Sequence, residues 1–109
     1  MNDERKARIC ELNDQLRQTG IGGRVMVTRG LLDQGPSFVA RTICSMRAFN
    51  EFAEDDDPYG EHDFGALRVD AKSVFWKIDY YDASMTAGAE DPSDPKTCRV
   101  LTVMLAEEY

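Results

Sequence analysis

The sequence predicts an α+β domain, an antiparallel sheet of about four strands with two helices packed on one face. Three observations predict it. Two stretches with apolar residues every three or four positions fall in the first half of the chain. Three runs rich in β-branched and aromatic residues fall in the second half, the longest in strict alternation. Helices and strands are thus segregated rather than interleaved as βαβ units, which favours an antiparallel sheet with its helices on one side. At 109 residues the chain reads as a single domain, 1–109. A domain of this size buries roughly 65% of its unfolded surface, enough for a core without covalent staples.

Residues 3–19 read as the first helix. Ile9, Leu12 and Leu16 recur at helical spacing with Ala7 near the same stripe, Asn2 or Asp3 is placed to cap the start, and Gly20 to close the end. The Gly20-Ile21-Gly22-Gly23 run then breaks the helix. It lacks the Gly-Lys-Ser/Thr of a phosphate loop, so it is read as a stop. Arg24-Val25-Met26-Val27-Thr28 follows as a short strand, and residues 31–35 as a connection. Pro36 suits the first turn of a second helix running to about Phe52, with Val39, Ile43, Met46, Phe49 and Phe52 or Ala53 on its apolar face.

Residues 54–61 form a loop broken by Pro58 and Gly60. Residues 64–69 read as a strand, and Asp70-Ala71-Lys72-Ser73 as a hairpin connection. In residues 74–82, Val74, Trp76, Ile78 and Tyr80 face one way and Phe75, Lys77, Asp79 and Tyr81 the other, which places Trp76 in the core. Residues 83–97 are a loop. Residues 99–105 read as a closing strand because Val100, Thr102 and Val103 are β-branched, although Leu and Met also tolerate a helix.

Cys10, Cys44 and Cys98 are odd in number and far apart, with no Cys-x-x-Cys pair. They read as small core residues in a reducing compartment, and no zinc site, metal or cofactor is expected. The charged N-terminus carries no apolar signal core, and no run approaches the length of a membrane span, so a cytoplasmic protein without membrane contact is expected. The net charge of −7 is unevenly distributed. Residues 1–50 carry eight Lys or Arg against five Asp or Glu, whereas residues 51–109 carry five against fifteen. An acidic total argues against direct nucleic-acid binding, where Lys and Arg supply most of the affinity. It favours presentation of carboxylates to a protein with a basic surface, such as a nucleic-acid-binding protein.

The candidate site is Glu54 to Gly65, EDDDPYGEHDFG, which holds the single histidine. As a calcium loop beginning at Asp55 it fails, because Tyr59 and Ala66 would occupy two ligand positions. A looser divalent site of Asp57, Glu61 and Asp63 is a lesser alternative. As a catalytic loop it offers Glu61, His62 and Asp63, a histidine between carboxylates. In an extended chain, however, Glu61 and Asp63 share a face and His62 points away, so a working dyad needs Glu61 with Asp63, or His62 with a distant partner such as Asp79 or Tyr81; the enzyme reading sets Tyr80 or Asp79 opposite the loop. No serine elbow accompanies them, and no cysteine shows a sign of activation. As a docking surface it is richer. From Glu51 to Asp63 seven of thirteen residues are acidic, and aromatic anchors stand by. The expected partner-binding residues are Glu51, Glu54, Asp55, Asp57, Tyr59, Glu61, Asp63 and Tyr81.

GGRVMVTRG, EDDDPYGEHDFG, VFWKIDYYD, DPSDP and RVLTVMLAEEY, taken in order, resemble the bacterial family of domain of unknown function 3768 over nearly the whole chain. The family more often shows Asn where this chain has Asp56, so no special role is assigned to Asp56. The resemblance implies no reaction, ligand or catalytic residue. It implies a setting in plasmid- and mobile-element-rich bacterial genomes, and hence accessory, defence or counter-defence roles. Charge and resemblance together lead to the expectation of a small acidic interaction protein that inhibits a nucleic-acid-processing or defence system, its carboxylates standing where phosphates lie. The alternative is a small enzyme or ligand-binding domain built on Glu61, His62 and Asp63.

Overall fold

The computed structural model describes residues 3–55 and 57–109, without the side chain of Asp3; the expected cap at Asn2 or Asp3, and Asp56, lie outside the described residues. The elements are α1 (Asp3–Thr19), β1 (Arg24–Val27), a single turn α2 (Arg29–Leu32), α3 (Pro36–Ala48), β2 (Phe64–Val69), β3 (Lys72–Tyr81), β4 (Cys98–Leu105) and a terminal 3-10 turn, Ala106–Glu108. The four strands form one sheet in the order β1-β4-β3-β2. Both helices lie on one face, α1 against β4 and α3 against β2, and the fold is α+β as the segregation of elements predicts. Two of the three pairings are antiparallel, and β1 lies parallel to β4, Arg24 opposite Val100 through Val27 opposite Val103. The sheet is therefore mixed at one edge. Among the described residues no helix is long and apolar enough to cross a membrane.

Register places one apolar layer under the helices. Val74, Trp76, Ile78 and Tyr80 of β3 stand opposite Leu105, Val103, Leu101 and Arg99 of β4, and Gly65 and Leu67 of β2 opposite Trp76 and Val74. Trp76 is fully buried, as the alternation predicts. Burial of the indole's area favours the fold by roughly 4–6 kcal/mol, offset by about 1–3 kcal/mol because its Nε1 is buried without a hydrogen-bond partner among the described residues. Its ring lies directly over Gly65, where even a methyl group would overlap it. That close approach is why the strand carries glycine at this point. Leu16, Leu31, Phe38 and Met46 close the core from the helix side. The opposite face carries Lys77 and Asp79, paired at 2.8 Å, and the edge-packed rings of Phe64, Phe75 and Tyr109.

α1 ends as its sequence predicts. Gly20 adopts a φ of 78° and its N–H returns to the Leu16 carbonyl at 2.8 Å. Its buried stripe differs from the apolar reading: Ile9, Asn13, Leu16 and Arg17 face inward, Leu12 is half-buried and Ala7 is exposed. Asn13, Arg17 and Ile9 thus share a face on which apolar periodicity registers only Ile9 and Leu16.

α3 ends at Ala48, short of the expected Phe52. The buried Arg17 guanidinium donates to the carbonyls of Met46 at 2.9 Å, Arg47 at 3.3 Å and Phe49 at 2.9 Å. A cation at the negative end of the helix satisfies carbonyls that would otherwise need a further turn. Phe49 then takes an extended conformation, and Phe49 and Phe52 pack edge-on against Trp76 rather than extending the helix. The inward positions of α3 are Phe38, Thr42 and Met46; Thr42 is satisfied by the Phe38 carbonyl at 2.8 Å.

The expected connection at residues 31–35 contains the last residues of α2, whose start Thr28 caps. The β2–β3 turn is tighter than expected. Val69 pairs with Lys72, so only Asp70 and Ala71 lie between the strands, with φ of 50° and 68°. Two consecutive left-handed residues mark a type I′ hairpin. The cysteines are not core residues: Cys44 is exposed, Cys10 and Cys98 are half-buried, and all three are free thiols.

Candidate functional site

The Glu54–Gly65 loop is built from the helix face upward. Asp57 N–H donates to the Ala53 carbonyl at 2.7 Å and Gly60 N–H to the Asp57 carbonyl at 3.1 Å, so the segment folds as two successive turns. Asn13 and Asp14 of α1 hold it, through the Glu61 carbonyl and His62. Arg17 lies four and three residues further along the helix, within reach of both.

Asn13 organises the first network. Its Nδ2 donates to the Tyr80 hydroxyl at 2.7 Å and the Glu61 carbonyl at 3.0 Å, while its Oδ1 accepts from Arg99 Nε at 2.8 Å. The Tyr80 hydroxyl donates in turn to Glu61 Oε1 at 2.9 Å. Arg99 lies over the Tyr80 ring and also donates to the Pro92 carbonyl. Every polar atom of this buried chain that the bonds engage has a partner, which is the condition for such a network to stabilise rather than cost. Burial pushes the Tyr80 phenol well above its ordinary range, and the neighbouring carboxylates push the same way, so the hydroxyl serves as a fixed donor.

Asp14 organises the second network. Its Oδ1 stands 2.9 Å from His62 Nδ1 and 3.1 Å from Arg17 Nη2, and its Oδ2 accepts from the Cys10 thiol at 3.7 Å. The His62 ring stacks on Phe52 with centroids 3.7 Å apart and planes within 3°. Its Nε2 faces Asp57 Oδ2 at 3.8 Å, and its backbone N–H donates to Asp57 Oδ1 at 3.1 Å. Arg17 completes the cluster by lying over both the Phe52 and Trp76 rings at 5.3 and 5.4 Å. Burial, then the Asp14 charge, pushes the Cys10 thiol up to about 11, so it is a protonated thiol at neutral pH and not a nucleophile.

The loop residues therefore divide. Asp57 is 8% exposed and turns inward, where a presented carboxylate was expected. His62 sits at a φ of 57°, so the chain there is not extended, and its partners are Asp14 and Asp57 rather than Asp79 or Tyr81. Glu61 is taken up by Tyr80. Asp63 is half-buried, and its carboxyl is raised by desolvation and by Glu61, with Asp57 and Asp79 adding to the same effect. Glu61, His62 and Asp63 thus do not converge on one reaction centre. Outward stand Glu51, Glu54 and Asp55, together with Tyr59 at 72% exposure. Tyr81 points to the opposite face of the sheet from Tyr80 and the loop, opposite Cys98.

Sequence reasoning passed over Asn13, Asp14, Arg17 and Arg99. The available signal was a polar i, i+1, i+4 set on the buried side of a helix, which apolar periodicity does not weigh. It also passed over a donor set. The ligand atoms of Cys10, Asp14 and His62 lie within 4.8 Å of one another.

The family match covers residues 27–108. The chain belongs to the family described as protein of unknown function DUF3768. The matched span takes in the whole Glu54–Gly65 loop and all three strands that follow it, while Cys10, Asn13, Asp14 and Arg17 precede it. No curated protein and no solved structure matches the chain.

Proposed function

We propose that this DUF3768 protein is a small acidic interaction module. It docks Glu51, Glu54, Asp55 and Tyr59 onto a basic protein surface and, within bacterial mobile elements, inhibits a nucleic-acid-processing or defence system. The observation that carries this reading is the division of the loop. Of its inner residues, Glu61 and His62 are fastened to α1 and β3 and Asp57 is tied to the His62 backbone, and its outer carboxylates project from that braced base. Carboxylates held on a fixed frame lose little conformational freedom on binding, so more of their Coulomb attraction survives as affinity. The excess of fifteen acidic over five basic residues in 51–109 extends the same field beyond the loop and favours encounter with a cationic partner. Tyr59 supplies the exposed aromatic group that such interfaces favour near their centre.

The test is capture followed by competition. Wild-type protein and a Glu51→Gln/Glu54→Gln/Asp55→Asn variant are immobilised and exposed to a lysate of the source bacterium. The retained proteins are then challenged with duplex DNA and with RNA. The reading requires a basic protein held by wild type, lost by the variant and displaced by nucleic acid. Retention that is equal for the two proteins, or that nucleic acid leaves intact, contradicts it.

A further inference from the structure

We propose that Cys10, Asp14 and His62 form a binding site for a borderline divalent transition-metal ion, with zinc the best fit to the donors. The inference is independent of the proposed docking role, because these residues face α1 and the inner side of the loop rather than the outward carboxylates.

Four features support it. The first is position: Cys10 and Asp14 are four residues apart on α1, so they present a sulfur and a carboxylate from one helix face, and His62 meets them from the loop. The second is spacing. Their donor atoms lie within 4.8 Å of one another, and a tetrahedral zinc ion with bonds of about 2.0–2.3 Å asks for separations of about 3.3–3.8 Å, a small side-chain adjustment. The third is donor chemistry. One thiolate, one imidazole and one carboxylate select a borderline ion over the hard calcium and magnesium ions, and three protein ligands leave a fourth position for water or a partner's side chain.

The fourth feature is the support behind the histidine. Metal-bound imidazoles almost always direct the other ring nitrogen at a carboxylate, a backbone carbonyl or water. Here Nδ1 faces Asp14 at 2.9 Å, and Nε2 faces the buried Asp57 carboxylate at 3.8 Å. The ring is clamped by stacking on Phe52, and the residue is held at a left-handed φ of 57°, a conformation uncommon outside glycine. Charge also balances. The Cys10 thiol, protonated in the free protein, releases its proton to water as the metal–sulfur bond forms. Thiolate, Asp14 and Asp57 then carry three negative charges, Arg17 at 3.1 Å from Asp14 returns one positive, and a divalent ion neutralises the remainder. A groove along α1, lined by Ala7, Cys10, Asp14 and Gln18, runs beside two of the three ligands.

The experiment uses the full chain, freed of metal by a chelator and kept reduced, and titrated with cobalt(II) and with zinc(II). Wild type and Cys44→Ser should each bind one equivalent of cobalt with a thiolate-to-cobalt charge-transfer band, and zinc should displace it. Cys10→Ser should lose the band, and Asp57→Asn should keep it with roughly ten- to a hundredfold weaker binding. A measurement on wild type alone guards against misfolded variants: zinc should protect Cys10, but not Cys44, from alkylation read by mass spectrometry. No binding at one equivalent, a band that survives Cys10→Ser, or equal alkylation of Cys10 with and without zinc would overturn the proposal.

Discussion

Arg17 ends one helix, neutralises Asp14 and lies over two aromatic rings while only 2% exposed. Its Nη1 and Nη2 donors are engaged, whereas its Nε is buried without a hydrogen-bond partner among the described residues. Removing such a cation strands the groups it served. Arg17→Met leaves the Met46 and Phe49 carbonyls and the Asp14 carboxylate without their donor. We expect a loss of about 3–5 kcal/mol in a urea unfolding titration. A loss below about 1 kcal/mol would mean that the carbonyls find water once the guanidinium is gone.

The same residue shows where sequence reading reached and where it stopped. The α1 bounds and Gly20 cap were legible because apolar spacing and glycine are local signals. Arg17 and Asn13 were not, because a polar residue on a helix reads as solvent-facing until its partners, 29 or more residues away, are known. The end of α3 was misjudged for that reason, since what stops it belongs to a different helix. The contacts of His62 with Asp14 and Asp57 were not legible either, because alternation along an extended chain fails at a left-handed residue.

At the scale of elements, the strands of the second half were legible almost residue by residue, since buried and more open positions alternate from Val74 to Asp79 in β3 and from Cys98 to Val103 in β4. The parallel pairing of β1 with β4 was not, because four residues near position 25 carry no mark of a partner near position 101. The β2–β3 hairpin stores a small local cost. Ala71 holds a φ of 68° without the freedom of glycine, and its carbonyl accepts from Arg68 at 2.9 Å. Ala71→Gly should therefore stabilise the fold by about 0.5–1 kcal/mol in the same titration. A decrease would show that the unfolded chain's added freedom outweighs the relief of strain.

The terminal turn is tied down by one carboxylate. Glu108 accepts from Thr28 Oγ1 at 2.6 Å, Gly30 N–H at 3.0 Å and Leu105 N–H at 2.9 Å, and these bonds lower its carboxyl below the usual 4.5. A carboxyl lowered on folding contributes stability that is present above its unfolded value and is lost as pH falls through the folded one. Glu108→Gln should thus be less stable than wild type at pH 7, and the gap should narrow below about pH 4.5 as the wild-type carboxyl takes up its proton. Thermal unfolding of the two proteins at pH 7 and pH 3.5 reads this directly, and a gap independent of pH would assign the effect to shape rather than charge.

At the scale of the whole molecule, charge and fold divide the chain at the same place. The N-terminal half supplies Arg17 to the interior and the first helix to the network, and the C-terminal half places its surplus of carboxylates on a braced loop and around the sheet. Composition made the asymmetry legible. It did not reveal which carboxylates are used internally, because Asp57 and Glu61 become structural only when His62 and Tyr80 meet them. The proposed docking surface is therefore smaller than the acidic run, and Glu51, Glu54 and Asp55 should dominate it. An attraction of this kind between exposed charges is screened by salt. The most direct measurement is the affinity of the captured partner for wild type and for Glu51→Gln/Glu54→Gln/Asp55→Asn across salt concentrations. The account predicts about tenfold weaker wild-type binding between roughly 50 and 200 mM salt, with the variant weak throughout. Binding that salt does not weaken, or that the variant retains in full, would contradict it.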